Sequence, residues 1–277
     1  MDFKVVESSD TTLAVRIEGS EPTFVNAIRR TLLSDVPKMA IEDVEFHLSP
    51  IRAEDGKEYE SVAPLFDEMI SHRLGLVPIP TDLQLFVPRA TCPTCHGEGC
   101  PACTIIYSLN KRGPGVVTSG DLEPIGDSKL KPKDAKIPIV KLGDGQALLI
   151  YATATLGTGR EHAKWQVAHG VGYRFATVLR AGGKTFEPAD AKVPPCPDHI
   201  LRPGMEEMTV ELRSECRHCR KFAEAYDVKS VKVVNDPSKI ELRFETDGSL
   251  TAHDTLVAAL DILEKRFADI AGKAEQL

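Results

Sequence analysis

Along residues 12–18, "TLAVRIE", apolar Leu13, Val15 and Ile17 alternate with other positions, the period of a half-buried strand. The first forty residues read as strand, strand, helix. Ser20-Glu21-Pro22-Thr23 marks a helix start with proline in the first turn. Phe24, Ile28, Leu32 and Leu33 then follow at helical spacing, and Val36-Pro37 ends the helix. Alternation returns at Val44, Phe46 and Leu48. The polar stretch 49–64 reads as a loop. "PLFDEMISHRLG" reads as a short helix with Pro64 at its start and Gly75 as its stop.

Two apolar segments, "LQLFV" and "TIIYSL", flank a cysteine-rich stretch. Residues 113–136 are rich in Gly, Pro, Asp and Lys and read as loop. "QALLIYATATL" predicts a strand. From 181 to 204 the composition shifts to Pro, Gly and charge, the mark of an inserted unit. "VKVVNDPSKIELRFET" carries a hairpin signal: Val231 and Val233, turn residues, then Ile240, Leu242 and Phe244. The clearest helix comes last. Leu256, Leu260, Leu263, Phe267 and Ile270 recur at steps of four and three, behind Asp, Ser and Thr capping residues. Such a stripe serves a core or a partner helix equally well. The strand-strand-helix start and the strand-helix end are similar in kind, and could build one domain from both chain ends with the middle inserted.

The chain has 277 residues, room for about two domains. Hydrophobic residues make up 42% and charged residues 27%, an ordinary globular composition. The net charge is −7. A module that grips DNA by itself shows a basic patch, because phosphate neutralisation drives its affinity. No direct DNA grip is expected here. No apolar run reaches the roughly 20 residues a membrane span needs. The N-terminus lacks the basic and apolar regions of a signal peptide. The expected compartment is the cytoplasm, where clustered cysteines more often bind metal or catalyse than form disulfides.

Four of the seven cysteines fall in "CPTCHGEGCPAC": Cys92, Cys95, Cys100 and Cys103. Two Cys-x2-Cys pairs form two tight knuckles, and four thiolates complete a tetrahedral zinc shell. Pro93 and Pro101 stiffen the turns, and Gly97 and Gly99 let the chain bend between the pairs. Zinc stands ahead of iron. The alternatives are a loop of free thiols or the remnant of a lost site. "CPTCHGEG" also resembles the zinc repeat of DnaJ-type co-chaperones, but those carry several repeats and this chain has one.

Cys196, with Pro197 behind it, and Cys216-x2-Cys219 form a second, incomplete group. Bacterial-type ferredoxins use Cys-x2-Cys-x2-Cys-x3-Cys-Pro. Here Phe222 and Tyr226 stand at the third and fourth positions of that run. Three thiolates suit a [3Fe-4S] cluster, or a [4Fe-4S] cluster with another fourth ligand; the other reading is a degenerate site with no cluster. Glu68 and His72, one helical turn apart, are acid-base candidates, though such pairs are more often solvated contacts. Gly-x-Ser-x-Gly, the Walker phosphate loop and the dinucleotide-binding glycine motif are all missing from the sequence. Trp165 reads as a packing residue.

"FVNAIRRTLLSDVPKMAIEDVEF", "LFDEMISHRLGLVPIPTD", "EHAKWQVAHGVGYRF" and "ELRFETDGSL", in this order, resemble the D-type subunits of archaeal DNA-directed RNA polymerase. That family is similar to the third-largest subunit of eukaryotic RNA polymerase II and to the N-terminal domain of the bacterial alpha subunit. The resemblance implies an α+β fold: a dimerisation domain from residues 1–42 and 229–277, an inserted mixed β domain at 43–178, and a small ferredoxin-like domain at 179–228. It implies a non-catalytic assembly platform. Phe24, Ile28, Arg29, Arg30, Leu256, Leu260, Leu263 and Phe267 would form the subunit interface. The implied partners are subunit L in a heterodimer, the large catalytic subunits, and the small subunits N and P. The eukaryotic relatives carry a zinc loop where this chain has its four cysteines. Many archaeal members carry iron–sulfur clusters in the third domain, where Phe222 departs from the pattern. The competing reading is a free-standing iron–sulfur redox protein.

Overall fold

A computed structural model describes residues 1–52, 56–61, 63–182, 207–212 and 231–276. The elements form two compact units. One holds residues 1–7, 14–29 and 172–243; the other holds 8–13, 30–171 and 244–277.

The first unit is organised by five strands: β1 (Asp2–Ser8), β2 (Thr12–Glu18), β11 (Ala168–Gly182), β12 (Glu207–Leu212) and β13 (Val231–Thr246). They form one sheet of order β1-β2-β13-β11-β12. The period-two apolar positions fall where the sequence places them: Val15 and Ile17 on β2, and Ile240 and Leu242 on β13, are buried. Helix α1 (Pro22–Ser34) starts at the expected proline, and its Val25 and Ile28 are fully buried. Arg16, Glu241 and Arg174 join in an ion-pair row across β2, β13 and β11. Lys4 with Glu18, and Arg243 with Glu7, extend the pairing to β1.

The second unit is built on β3 (Pro37–Phe46), β6 (Thr104–Arg112), β8 (Glu123–Pro124) and β10 (Ala147–Thr158). They form a four-stranded sheet of order β3-β10-β6-β8. β10 is antiparallel to both neighbours: Tyr151 lies opposite Glu45 on β3 and Ser108 on β6. One face of this sheet forms the main core, with Met39, Ile41, Ile105, Tyr107, Leu109, Ile150, Ala152 and Ala154. Helix α2 (Asp67–Gly75) adds Ile70 and Leu74 to it. A small ribbon of β7 (Gly115–Thr118) with β9 (Pro138–Leu142) adds Val117, Ile139, Val140 and Leu142. Two-residue strands β4 (Ile51–Arg52) and β5 (Glu58–Tyr59) pair with each other. The C-terminal helix α3 (Ala252–Ala274) is capped by Thr251, whose side chain accepts a hydrogen bond from the Asp254 backbone N–H. No helix among the described residues is long and apolar enough to cross a membrane.

Three expectations change. The hairpin at 231–246 is a single strand. Its turn residues do not reverse the chain, because the Asp236 carboxylate accepts the N–H and O–H of Ser238 while Gly19 of the neighbouring segment donates to the Ser238 carbonyl. The stretch 113–136 is not all loop, since β7 and β8 lie in it. "LQLFV" is not a strand: Asp82 turns it by accepting from the N–H groups of Gln84 and Leu85.

Candidate metal centre

The four cysteines lie between a short 3-10 turn, Arg89–Thr91, and the start of β6. Each Cys-x2-Cys pair closes a tight turn. His96 N–H donates to the Cys92 carbonyl at 3.0 Å, and Cys103 and Thr104 N–H donate to the Cys100 carbonyl, both at 2.9 Å. Between the pairs the chain reverses through His96, Gly97 and Gly99, all at positive φ. Glycine suits two of these positions because it has no Cβ to clash there.

The reversal brings all four sulfurs within 4.8 Å of one another. Cys92 Sγ lies 3.7 Å from Cys100 Sγ, Cys95 Sγ 3.5 Å from Cys103 Sγ, and Cys100 Sγ 3.8 Å from Cys103 Sγ. A tetrahedron with metal–sulfur bonds of about 2.3 Å has edges of about 3.8 Å. The group therefore fits a metal ion without rearrangement. Cys92 and Cys103 are buried, and Cys95 and Cys100 are half-buried.

Backbone donors surround the sulfurs unevenly. The N–H groups of Cys95 and Thr94 pull the Cys92 thiol down to about 6. The Gly99 N–H, 3.2 Å from Cys95 Sγ, is the main cause of the lowered Cys95 value. Burial pushes Cys103 up to about 12. At Cys100 the Ala102 N–H favours the thiolate, but burial and the neighbouring thiols outweigh it and raise the value. Four thiolates so close repel one another, and a bound cation removes that conflict.

One residue of the centre was not legible in the sequence. Arg89 donates from Nε to the Gly97 carbonyl at 2.9 Å and from Nη2 to the Glu98 carbonyl at 3.0 Å. Its Nη1 lies 3.5 Å from Asp43 Oδ2 on β3. An arginine three positions before a cysteine carries no signal of its own.

The remaining candidates separate. Ile28, Leu256 and Leu263 are buried within the chain itself. Phe24, Arg29 and Leu260 are half-buried, and Arg29 donates to the Asn26 side chain. Arg30 is exposed, and Phe267 and Ile270 are 56% and 60% exposed. Cys196, Cys216 and Cys219 lie outside the described residues. Glu68 and His72 are both exposed. Trp165 is buried, and its Nε1–H donates to the Thr155 carbonyl at 3.1 Å.

Residues 51–173 match the RNA polymerase Rpb3/RpoA insert domain. The whole chain is similar to DNA-directed RNA polymerase subunit Rpo3 of several organisms. The Thermoplasma volcanium protein is 44% identical over 267 residues, which cover 96% of this chain and 97% of that one. The Picrophilus torridus protein is 43% identical over the same shares. The Methanosarcina acetivorans protein is 34% identical, covering all of this chain and 97% of the other.

Proposed function

This chain belongs to the Rpb3/RpoA family of RNA polymerase subunits, and on that premise we propose that it is the non-catalytic assembly platform of a DNA-directed RNA polymerase. The observation that carries the reading is likeness along nearly the full length to subunits named Rpo3, the archaeal D-type subunits. A net charge of −7 suits a chain that holds other proteins rather than DNA.

In this reading residues 1–42 and 229–277 form the dimerisation domain, 43–178 the insert domain and 179–228 a ferredoxin-like domain. The first partner is subunit L. The exposed end of α3, with Phe267 and Ile270, supports a helix contact there, because large apolar side chains in water on the face that carries Leu256 and Leu263 invite a partner. Phe24 and the Arg29-Arg30 pair belong to a second contact segment. The heterodimer then recruits the large catalytic subunits, with the small subunits N and P, in the cytoplasm.

Cys92, Cys95, Cys100 and Cys103 hold zinc in this reading. A closed four-thiolate shell with no open position suits a structural ion, which ties the loop into a fixed shape. Cys196, Cys216 and Cys219 are the ligands of a [3Fe-4S] or [4Fe-4S] cluster if one is bound. Co-expression with a subunit L tests the platform reading: the two chains elute together as a one-to-one complex. A chain that elutes alone beside excess L contradicts it.

A further inference from the structure

We propose that Arg89 is a positioning residue of the four-cysteine centre, holding the loop in its ligating shape and fastening it to β3. This role rests on the reading of that centre as a metal site.

One peptide unit links the arginine to a ligand. The carbonyl of Glu98 and the N–H of Gly99 belong to the same planar group and point in opposite directions. Arg89 Nη2 donates to that carbonyl at 3.0 Å. The N–H on the other side donates to Cys95 Sγ at 3.2 Å. The guanidinium therefore fixes the plane that aims a donor at a ligand sulfur. Its Nε holds the preceding carbonyl, that of Gly97, at 2.9 Å. Both carbonyls sit in the reversal where Gly97 and Gly99 have φ of +101° and +108°. Glycines leave that backbone free to re-orient, so the orientation must come from a partner.

The third nitrogen completes the fastening. Nη1 is 3.5 Å from Asp43 Oδ2, on the edge strand of the four-stranded sheet. The planar, five-donor fork of arginine spans two carbonyls and a carboxylate at once, which a lysine ammonium does not do in fixed geometry. N–H donors to a ligand sulfur orient it and tune its donor strength, and loss of such supports typically weakens metal binding about 10–100-fold.

The test is the rate at which the full, zinc-loaded chain gives up metal to a chromophoric chelator, compared among wild type, Arg89→Ala, Arg89→Lys and Asp43→Ala. The expected result is loss about 10–100-fold faster in both arginine variants and a smaller effect in Asp43→Ala. In the cobalt-substituted chain the sulfur-to-cobalt absorption band shifts in the arginine variants. Rescue by lysine reduces the role to charge alone and overturns the inference, as does release at the wild-type rate in Arg89→Ala. If Arg89→Ala does not fold, Arg89→Lys decides. A wild-type chain that binds no zinc or cobalt overturns the metal reading itself, which is a separate outcome from unchanged release in the variants.

Discussion

Asp35 and Arg266 are 231 positions apart and joined at 2.6 Å, Nη1 to Oδ2. The other oxygen of Asp35 accepts from Arg160, at 3.1 Å from Nε and 2.7 Å from Nη2. One carboxylate, only 9% exposed, thus ties the residue after α1 to α3 and to the link between β10 and β11. Both arginines keep about half or more of their side chains in water. Losing the acid leaves them hydrated rather than stranded. Asp35→Ala is expected to cost about 1.5–3 kcal/mol in chemical denaturation, the range for hydrogen bonds to charged groups.

The same triad gives a pH dependence. Burial alone would raise the Asp35 value, but the hydrogen bonds from Arg266 and Arg160 outweigh it and hold the carboxyl below its usual range. A group whose folded value is depressed stabilises the fold above its unfolded value and loses that contribution as pH falls through the folded one. The window lies below about pH 4. Wild type should lose stability between roughly pH 5 and pH 2 more steeply than Asp35→Asn; equal slopes would remove Asp35 from the acid response.

Gly157 on β10 has no room for a side chain. A Cβ there would sit 2.5 Å from the Trp165 ring, whose Nε1–H is already committed to Thr155. Its backbone is not left-handed, so the clash is with the indole alone. Gly157→Ala should cost about 1–3 kcal/mol by overpacking. Trp165 is the single tryptophan, and its emission should shift to the red as it is pushed toward water. An unshifted spectrum with unchanged Tm contradicts the packing.

Much of this was legible in the chain. The period of two at Leu13, Val15 and Ile17 and the helical run to Leu32 are set by which side chains leave water, so α1 and β2 fall where the pattern puts them. The four cysteines were legible because spacing fixes which sulfurs can meet. What escaped depends on distant partners. The Asn235-Asp236-Pro237 stretch has local turn chemistry, yet flanking strands hold it extended. β11 begins at Ala168 with His169, Gly170 and Gly172 in place of an apolar alternation, and only its place beside β13 makes it a strand. Within the apolar stripe of α3, sequence alone does not divide Leu256 and Leu263, which are buried, from Phe267 and Ile270, which face water.

That division predicts opposite outcomes for similar mutations. Phe267→Asp and Ile270→Asp should leave the stability of the chain within about 0.5 kcal/mol, as for other exposed sites, while abolishing co-purification with subunit L. Leu263→Asp should unfold the helix itself, because it puts a charge into the core. If Phe267→Asp pairs with L at wild-type yield, the exposed end of α3 is not the contact.

Metal analysis separates the two cysteine groups. The chain purified without oxygen should carry about one zinc, lost in Cys100→Ser. Iron with matching acid-labile sulfide would place a cluster on Cys196, Cys216 and Cys219. Zinc without iron would leave those three as a remnant.

The central claim is tested most directly by assembling the polymerase from separate subunits with and without this chain, then weighing the products by native mass spectrometry. The account predicts that the large catalytic subunits join into one complex only when this chain and its small partner are present. A complete, active complex formed without it would contradict the account.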